Sequence, residues 1–323
     1  MNYEIVLNNE YILNDLLQDI SMEEELDSVA VRMSLTIKSH PDLPVITGGD
    51  ELKVTGKLFN TTSYGEIFNG VIWDVDDAKK GLKNISIEAY DRSIYLAKSE
   101  DEYLFSKGKT ASHRLKEYAS DWEIPLGEIS DTHIALAKSV YRAQPIYRMI
   151  QRDLSETSDK GGDLFIPRMN RNRLDLVPFG SNRDVWILEA NEEVRNRKTL
   201  ESAVTQVKVL GKEEEDKKTP VLATVSKDTE KFGTLQKILQ DDKVKTKKDA
   251  EKAGNKQLAG IDQTTTVRGL DINVIRVGDL VEVDNAQQYV ISVKRDLKAS
   301  GFMTLEMGSL DHIRRKYYDQ GSF

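Results

Sequence analysis

The sequence predicts an α+β fold, mainly β: two small antiparallel β-barrels with a helical insert and a hairpin region between them. Three observations carry that expectation. First, residues 277–311 (VGDLVEVDNAQQYVISVKRDLKASGFMTLEMGSLD) follow nearly the same plan as residues 48–91. Both open on a Gly-Asp pair, Gly49-Asp50 and Gly278-Asp279, continue with alternating apolar residues, and close on an aspartate, Asp91 and Asp311. Second, the alternation has period two and is bounded by Gly, Asn, Asp and Lys turns, the mark of antiparallel strands with one buried face. Short meanders of this kind close into small barrels. Third, the period changes to helical between the two stretches.

In chain order, residues 1–96 read as the first barrel. Tyr3, Ile5 and Leu7 alternate, and Val29, Val31, Met33, Leu35 and Ile37 share one strand face. The acidic run Glu23-Glu24-Glu25 is read as a solvated turn rather than a metal or acid/base cluster, because adjacent side chains diverge and no histidine is near. His40-Pro41-Asp42-Leu43-Pro44 breaks the pattern and leads into the first Gly-Asp unit. Its strands are Leu52 to Val54, 64–75 and 85–91, with a Lys79-Lys80-Gly81 turn.

A helical insert is expected over 97–162. Ala111, Leu115, Tyr118, Ala119 and Trp122 fall on one face, and a second helix starts at Pro145 with Ile146, Met149, Ile150 and Leu154 as its stripe before Gly161-Gly162. Residues 163–199 form the hairpin region, with Leu164 and Ile166 facing Leu174 and Leu176 across an Asn170-Arg171-Asn172 turn. Arg168, Arg171 and Arg173 cluster there and are read as ion-paired or solvated rather than phosphate-binding.

The second barrel is expected over 200–311, interrupted after the charged loop 212–218 by a helical insertion at 232–259. Leu235, Ile238 and Leu239 suggest its first half, and Thr246 three residues before Asp249 gives capping-box spacing for its second. The Lys243 to Lys256 tract is read as a solvated helix face. The second repeat then carries Leu280, Val281 and Val283, the strand 288–293, a Lys298-Ala299-Ser300-Gly301 turn and a last strand from Met303. Residues 312–323, HIRRKYYDQGSF, make a basic, aromatic tail.

Composition narrows function. A chain of 323 residues accommodates two or three domains. No apolar run approaches the roughly 20 residues of a membrane helix, so no membrane anchor is expected, and the N-terminus lacks a signal-peptide layout. Zero cysteines remove disulfides and thiolate chemistry, and 54 acidic against 46 basic residues, net −8, argue against broad nucleic-acid binding. His40, His113, His133 and His312 match no metal motif, and nucleotide-binding and nucleophile-elbow motifs are lacking. Asp74, Asp76 and Asp77 are the best carboxylate cluster, but they sit before a turn where charge is expected. The expectation is therefore no enzyme, and no catalytic, cofactor-binding or metal-binding residues. Gly49, Asp50, Asp91, Gly278, Asp279 and Asp311 are kept as repeat landmarks.

Taken in order, these pieces resemble the baseplate hub proteins of contractile phage tails and R-type bacteriocins, especially those of PBSX-like defective prophages. The resemblance rests on residues 16–37 (LLQDISMEEELDSVAVRMSLTI), 87–99 (IEAYDRSIYLAKS), 110–129, 146–162, and above all 232–283, where a charged insertion leads into VGDLVEV. Such hubs are related to the late control D proteins of Mu-like phages and to the N-terminal hub of type VI secretion spike proteins. The resemblance implies a homotrimer whose six barrels form a ring, joining a hexameric tail tube or tube-initiator protein to a threefold spike. Other baseplate proteins and the tape measure protein are implied neighbours. No spike-like needle follows Phe323, so the spike is expected to be a separate protein. The expected location is the bacterial cytoplasm during synthesis and then the baseplate of a phage tail or bacteriocin particle. A tail-associated cell-wall hydrolase acting through Asp74, Asp76 or Glu23 to Glu25 is the alternative, and a nucleic-acid-binding factor a lesser one.

Overall fold

The computed structural model describes residues 3–78, 83–189, 191–212, 218–240, 244–298 and 301–318. Two compact units emerge, one from residues 1–195 and 266–323, the other from 196–265. Residues 200–265 of the expected second barrel lie in the second unit and 266–311 in the first. No helix among the described residues is long and apolar enough to cross a membrane.

The first unit begins with strands β1 (Tyr3–Leu7), β2 (Tyr11–Ile12), β3 (Leu17–Glu25), β4 (Arg32–Lys38), β5 (Glu51–Lys57), β6 (Tyr64–Ala78) and β7 (Asn84–Asp91). Alternation places Met33, Leu35 and Ile37 of β4 inward, against Leu52 and Val54 of β5 and Ile72 and Ile87 beyond. Helix α1 (Ile94–Lys98) and strand β8 (Glu100–Phe105) lead into α2 (Ala111–Asp121), which opens where Thr110 Oγ1 accepts a hydrogen bond from His113 N at 3.2 Å. Strands β9 (Leu126–Ile129) and β10 (Ser139–Pro145) follow, and Pro145 caps the N-terminus of α3 (Ile146–Asp159), an amphipathic helix that buries Ile146, Met149, Ile150 and Leu154. The hairpin β11 (Phe165–Asn170) and β12 (Arg173–Pro178) turns on Arg171 and Asn172, both at positive φ.

After β13 (Trp186–Ile187), strand β14 (Asn191–Thr199) carries the chain out of the first unit. The second unit holds β15 (Gln206–Leu210), antiparallel to β16 (Val221–Ser226) and parallel to β17 (Gln236–Gln240). Between the last two lies the short α4 (Thr229–Phe232). Helix α5 (Lys247–Gln257) packs Ala250 onto Val207, Val209 and Ala223. Thr246 Oγ1 accepts from Asp249 N at 3.1 Å and donates to the Asp249 carboxylate at 2.6 Å, closing its N-terminus. The expected helix over Leu235 to Leu239 is instead β17. Gly233, at φ +77°, ends α4, and Ile238 stays 57% exposed. Of the three apolar residues only Leu239 packs on the core of the second unit, and the edge of β15 supplies the backbone hydrogen bonds.

Strand β18 (Asp262–Leu270) returns to the first unit, followed by β19 (Leu280–Val283), β20 (Ala286–Asp296), β21 (Phe302–Gly308) and the one-turn α6 (Leu310–Ile313). The main sheet runs in the order β14-β18-β21-β20-β3-β4-β7-β6-β5-β1-β2, with β19 branching from β20 and β13 from β19. The fold is therefore α+β and mainly β, an open strand path with no closing pair among the described residues. The expected Lys79-Lys80-Gly81 turn and positions 299–300, 213–217, 241–243 and 319–323 lie outside the described residues.

Candidate functional site

The two Gly-Asp turns are built alike. Gly49 N donates to Ile72 O at 2.8 Å and Ile72 N to Asp50 O at 2.8 Å; Gly278 N donates to Val290 O at 2.9 Å and Val290 N to Asp279 O at 2.9 Å. Each aspartate closes its own turn, Asp50 Oδ2 accepting from Thr47 N at 2.8 Å and Asp279 Oδ2 from Arg276 N at 2.9 Å. Both glycines have positive φ, +96° and +89°, a conformation that side chains resist. The following strands share a β-bulge at the same step, between Ile72 and Asp74 in β6 and between Val290 and Ser292 in β20.

This common register aligns β6 with β20 and β7 with β21 residue by residue, since Ile72 pairs with Ala89 and Val290 with Met307. It also corrects the closing landmark, because the counterpart of Asp91 is Ser309 and not Asp311. Both counterparts sit at the entry to a short helix: Asp91 Oδ1 accepts from Ser93 N at 2.9 Å, and Ser309 Oγ from His312 N at 3.1 Å. Asp311 is exposed inside α6. The coincidence of two aspartates misled the pattern because Ser and Asp side chains both accept from a backbone N–H two or three residues on.

The repeats meet along β3 and β20, which pair antiparallel from Ser292 opposite Glu25 to Asp296 opposite Ser21. The acidic run expected as a solvated turn is the end of this strand. Glu23 pairs outward with Arg32, Lys294 lies opposite it, and Glu24 points inward at 5% exposure. Arg276 grips Glu24 bidentately, Nε to Oε2 at 2.8 Å and a terminal nitrogen to Oε1 at 2.7 Å, and also reaches Met169 O at 3.1 Å. Val277 N adds a third donor to Glu24 at 3.3 Å. Arg168 bridges Asp279 Oδ1 at 2.9 Å and Val277 O at 3.1 Å, so the hairpin is tied to the same turn.

Burial would raise the Glu24 carboxyl, but the Arg276 guanidinium and its hydrogen bonds hold it below the ordinary range. Arg276 resists the opposite effect of burial in the same way and is pushed up. Burial pushes nearby Asp91 up to about 6, opposed by hydrogen bonds from Ser93 and Val31. The ionised Glu24 carboxylate accepts three hydrogen bonds and has no proton to give. Chemically the arrangement is a clamp tying β3 to the Gly-Asp turn that precedes β19.

Asp74 and Asp76 lie together on the exposed end of β6, over an open polar groove shared with Asp19, Ser86 and Glu88. Glu23 and Glu24 are directed apart and do not join them. The histidines are scattered: His40 beside Asp42, His113 beside Glu117 and His133 beside Asp131 are exposed, and His312 is buried. Among the described residues no group of three or more His, Asp or Glu could hold a metal ion. The residues the sequence missed are Glu24 and Arg276. The signal was there in phase, since Ile20, Met22 and Glu24 are spaced by two, placing the glutamate on an apolar face where only a paired charge belongs.

The sequence profile described as YQBQ-like matches residues 20–307. The chain belongs to the YQBQ-like family. It is a homologue of the phage-like element PBSX protein XkdQ of Bacillus subtilis, 26% identical over 175 residues that cover 53% of this chain and 52% of that protein. The aligned stretch spans about half the length of the curated relatives it matches. In fold, this YQBQ-like chain is similar to the 43 kDa tail protein of prophage MuSo2 from Shewanella oneidensis, with a TM-score of 0.72, 12% identity, and 97% and 99% of the two chains covered. It is also similar to an E. coli component of the type VI secretion system, with a TM-score of 0.54, 9% identity, and coverage of 91% and 73%.

Proposed function

We propose that this chain is a structural baseplate hub of a contractile tail, whether phage or bacteriocin. It forms a homotrimer in which the six repeats of three protomers, each completing a small β-barrel with its flanking strands, make a pseudo-sixfold ring. One face of the ring meets the hexameric tube, or its initiator protein, and the other a separate threefold spike. The protein is made in the bacterial cytoplasm and incorporated into the particle, and it performs no covalent chemistry.

The observation that carries this reading is the repeat itself: one turn, one bulge position and one strand register occur twice in a single chain, joined edge to edge through β3 and β20. Two like faces per protomer let three protomers present six, the number a hexameric tube requires. Membership of the YQBQ-like family, homology to the PBSX protein and the shared fold with phage tail proteins support the same reading. The mass of the purified protein by light scattering tests it, alongside its copy number in assembled particles. Three copies per particle fit the proposal; six copies, or a monomer occupying the particle, refute it.

A further inference from the structure

The junction between the repeats also describes a junction that the chain leaves open at its two ends. On β20 the edge facing β19 is used twice: Ala286 to Tyr289 pair with β19, and beyond the bulge Ser292 to Asp296 pair with β3. On β6 the corresponding edge pairs with β5 only as far as Val71. Among the described residues no strand continues along Asp74 to Ala78, the counterparts of Ser292 to Asp296. At the bulge, Ile291 is 3% exposed beneath the junction, whereas its counterpart Trp73 is 40% exposed.

The complementary edge lies on β14. Ser39 N donates to Lys83 O and Asp271 N to Gly301 O, which makes β18 the counterpart of β4 and places Thr265, Val267 and Gly269 where Met33, Leu35 and Ile37 stand. β14 flanks β18 as β3 flanks β4, yet it ends the sheet order, with Glu192 to Lys198 all exposed. Arg268, the counterpart of Thr36, holds Glu192 at 3.0 Å, and Thr36 pairs with Asp19; Glu192 is accordingly taken as the counterpart of Asp19.

We propose that β6 of one protomer pairs antiparallel with β14 of the next, repeating between chains the β20–β3 junction made within each chain. The register sets Asp74 opposite Lys198, Asp76 opposite Asn196 and Asp77 opposite Arg195, with Val75 facing Arg197. An acidic strand end thereby meets a basic one, just as Lys294 meets Glu23 inside the chain. Backbone pairing of exposed edges supplies affinity, and the opposed charges select register and partner. Trp73 moves from a part-exposed seat beside Tyr90 and Tyr95 to the place beneath the junction that Ile291 occupies within the chain. Because each protomer offers one edge and receives another, the contact is head to tail and closes into a ring.

This inference rests on the trimer proposed above, and cysteine cross-linking separates the two. The chain has no cysteine, so every disulfide comes from introduced residues. A variant carrying Asp76→Cys and Asn196→Cys, oxidised as purified protein and in assembled particles, is expected to give covalent dimers and trimers and nothing larger. Each single variant stays monomeric on a non-reducing gel. Asp77→Arg is expected to weaken trimer formation at least about tenfold, as like charges meet across an interface, and Arg195→Asp in the same chain to restore it. A trimer by light scattering without cross-linked species overturns the strand pairing and leaves the trimer standing. A monomer in solution and in particles overturns both.

Discussion

Replacing Glu24 by alanine isolates the clamp between the repeats. The side chain is 5% exposed and accepts two hydrogen bonds from Arg276 at 2.7 and 2.8 Å and a longer one from Val277 N. Removing one partner of a buried ion pair costs about 3–5 kcal/mol, because the remaining charge is left without compensation. The Arg276 side chain keeps 25% of its surface in water and retains Met169 O, so solvent reaches the stranded cation. The expected loss is therefore at the lower end, about 3 kcal/mol. Replacing both residues, Glu24→Leu with Arg276→Met, removes the charge and its counter-charge together, and most of that loss is recovered. Urea unfolding followed by tryptophan fluorescence reads the first unit, since Trp73, Trp122 and Trp186 all belong to it. A Glu24→Ala protein within about 0.5 kcal/mol of the parent, the range of ordinary surface changes, refutes the clamp. So does a double variant whose loss equals the sum of the two single losses, since contacting residues couple.

Gly49→Ala and Gly278→Ala separate backbone strain from crowding: both occupy positive φ, but an added Cβ meets nothing within 4 Å at Gly49 and lies 2.9 Å from Ile166 Cγ2 at Gly278. The first is expected to cost about 1–2 kcal/mol and the second more, by melting temperature and urea midpoint; equal losses contradict the difference. Burial raises the Asp91 pKa from 3.8 to about 6, so its contribution to stability is complete below the unfolded value and is lost as pH rises through 6. The destabilisation caused by Asp91→Asn is then expected to shrink by roughly 2–3 kcal/mol between pH 3.8 and pH 7; a pH-independent difference counts against the buried, raised carboxyl.

What could be read from the sequence was what local physics decides. Alternation revealed β4 and β7, the apolar stripe from Ala111 to Trp122 and the Pro145 start marked α2 and α3, and the Gly-Asp pairs marked two turns whose hydrogen bonds coincide. What could not be read depends on partners far along the chain. Glu24 looked like part of a solvated run because Arg276, its counter-charge, is 252 residues away. Residues 236–240 carried a helical stripe, but their conformation follows from the vacant edge of β15. The shared bulge, invisible without pairing registers, is what moved the closing landmark from Asp311 to Ser309 and revealed the unmatched edges of β6 and β14.

The central claim, a ring of three protomers between tube and spike, is tested most directly by an electron-microscopy map of the assembled tail particle. The expected map shows three copies at the tube-to-spike junction, with 74–78 of each copy alongside 194–198 of its neighbour. Density for the chain anywhere else in the particle, or in a number other than three, contradicts it.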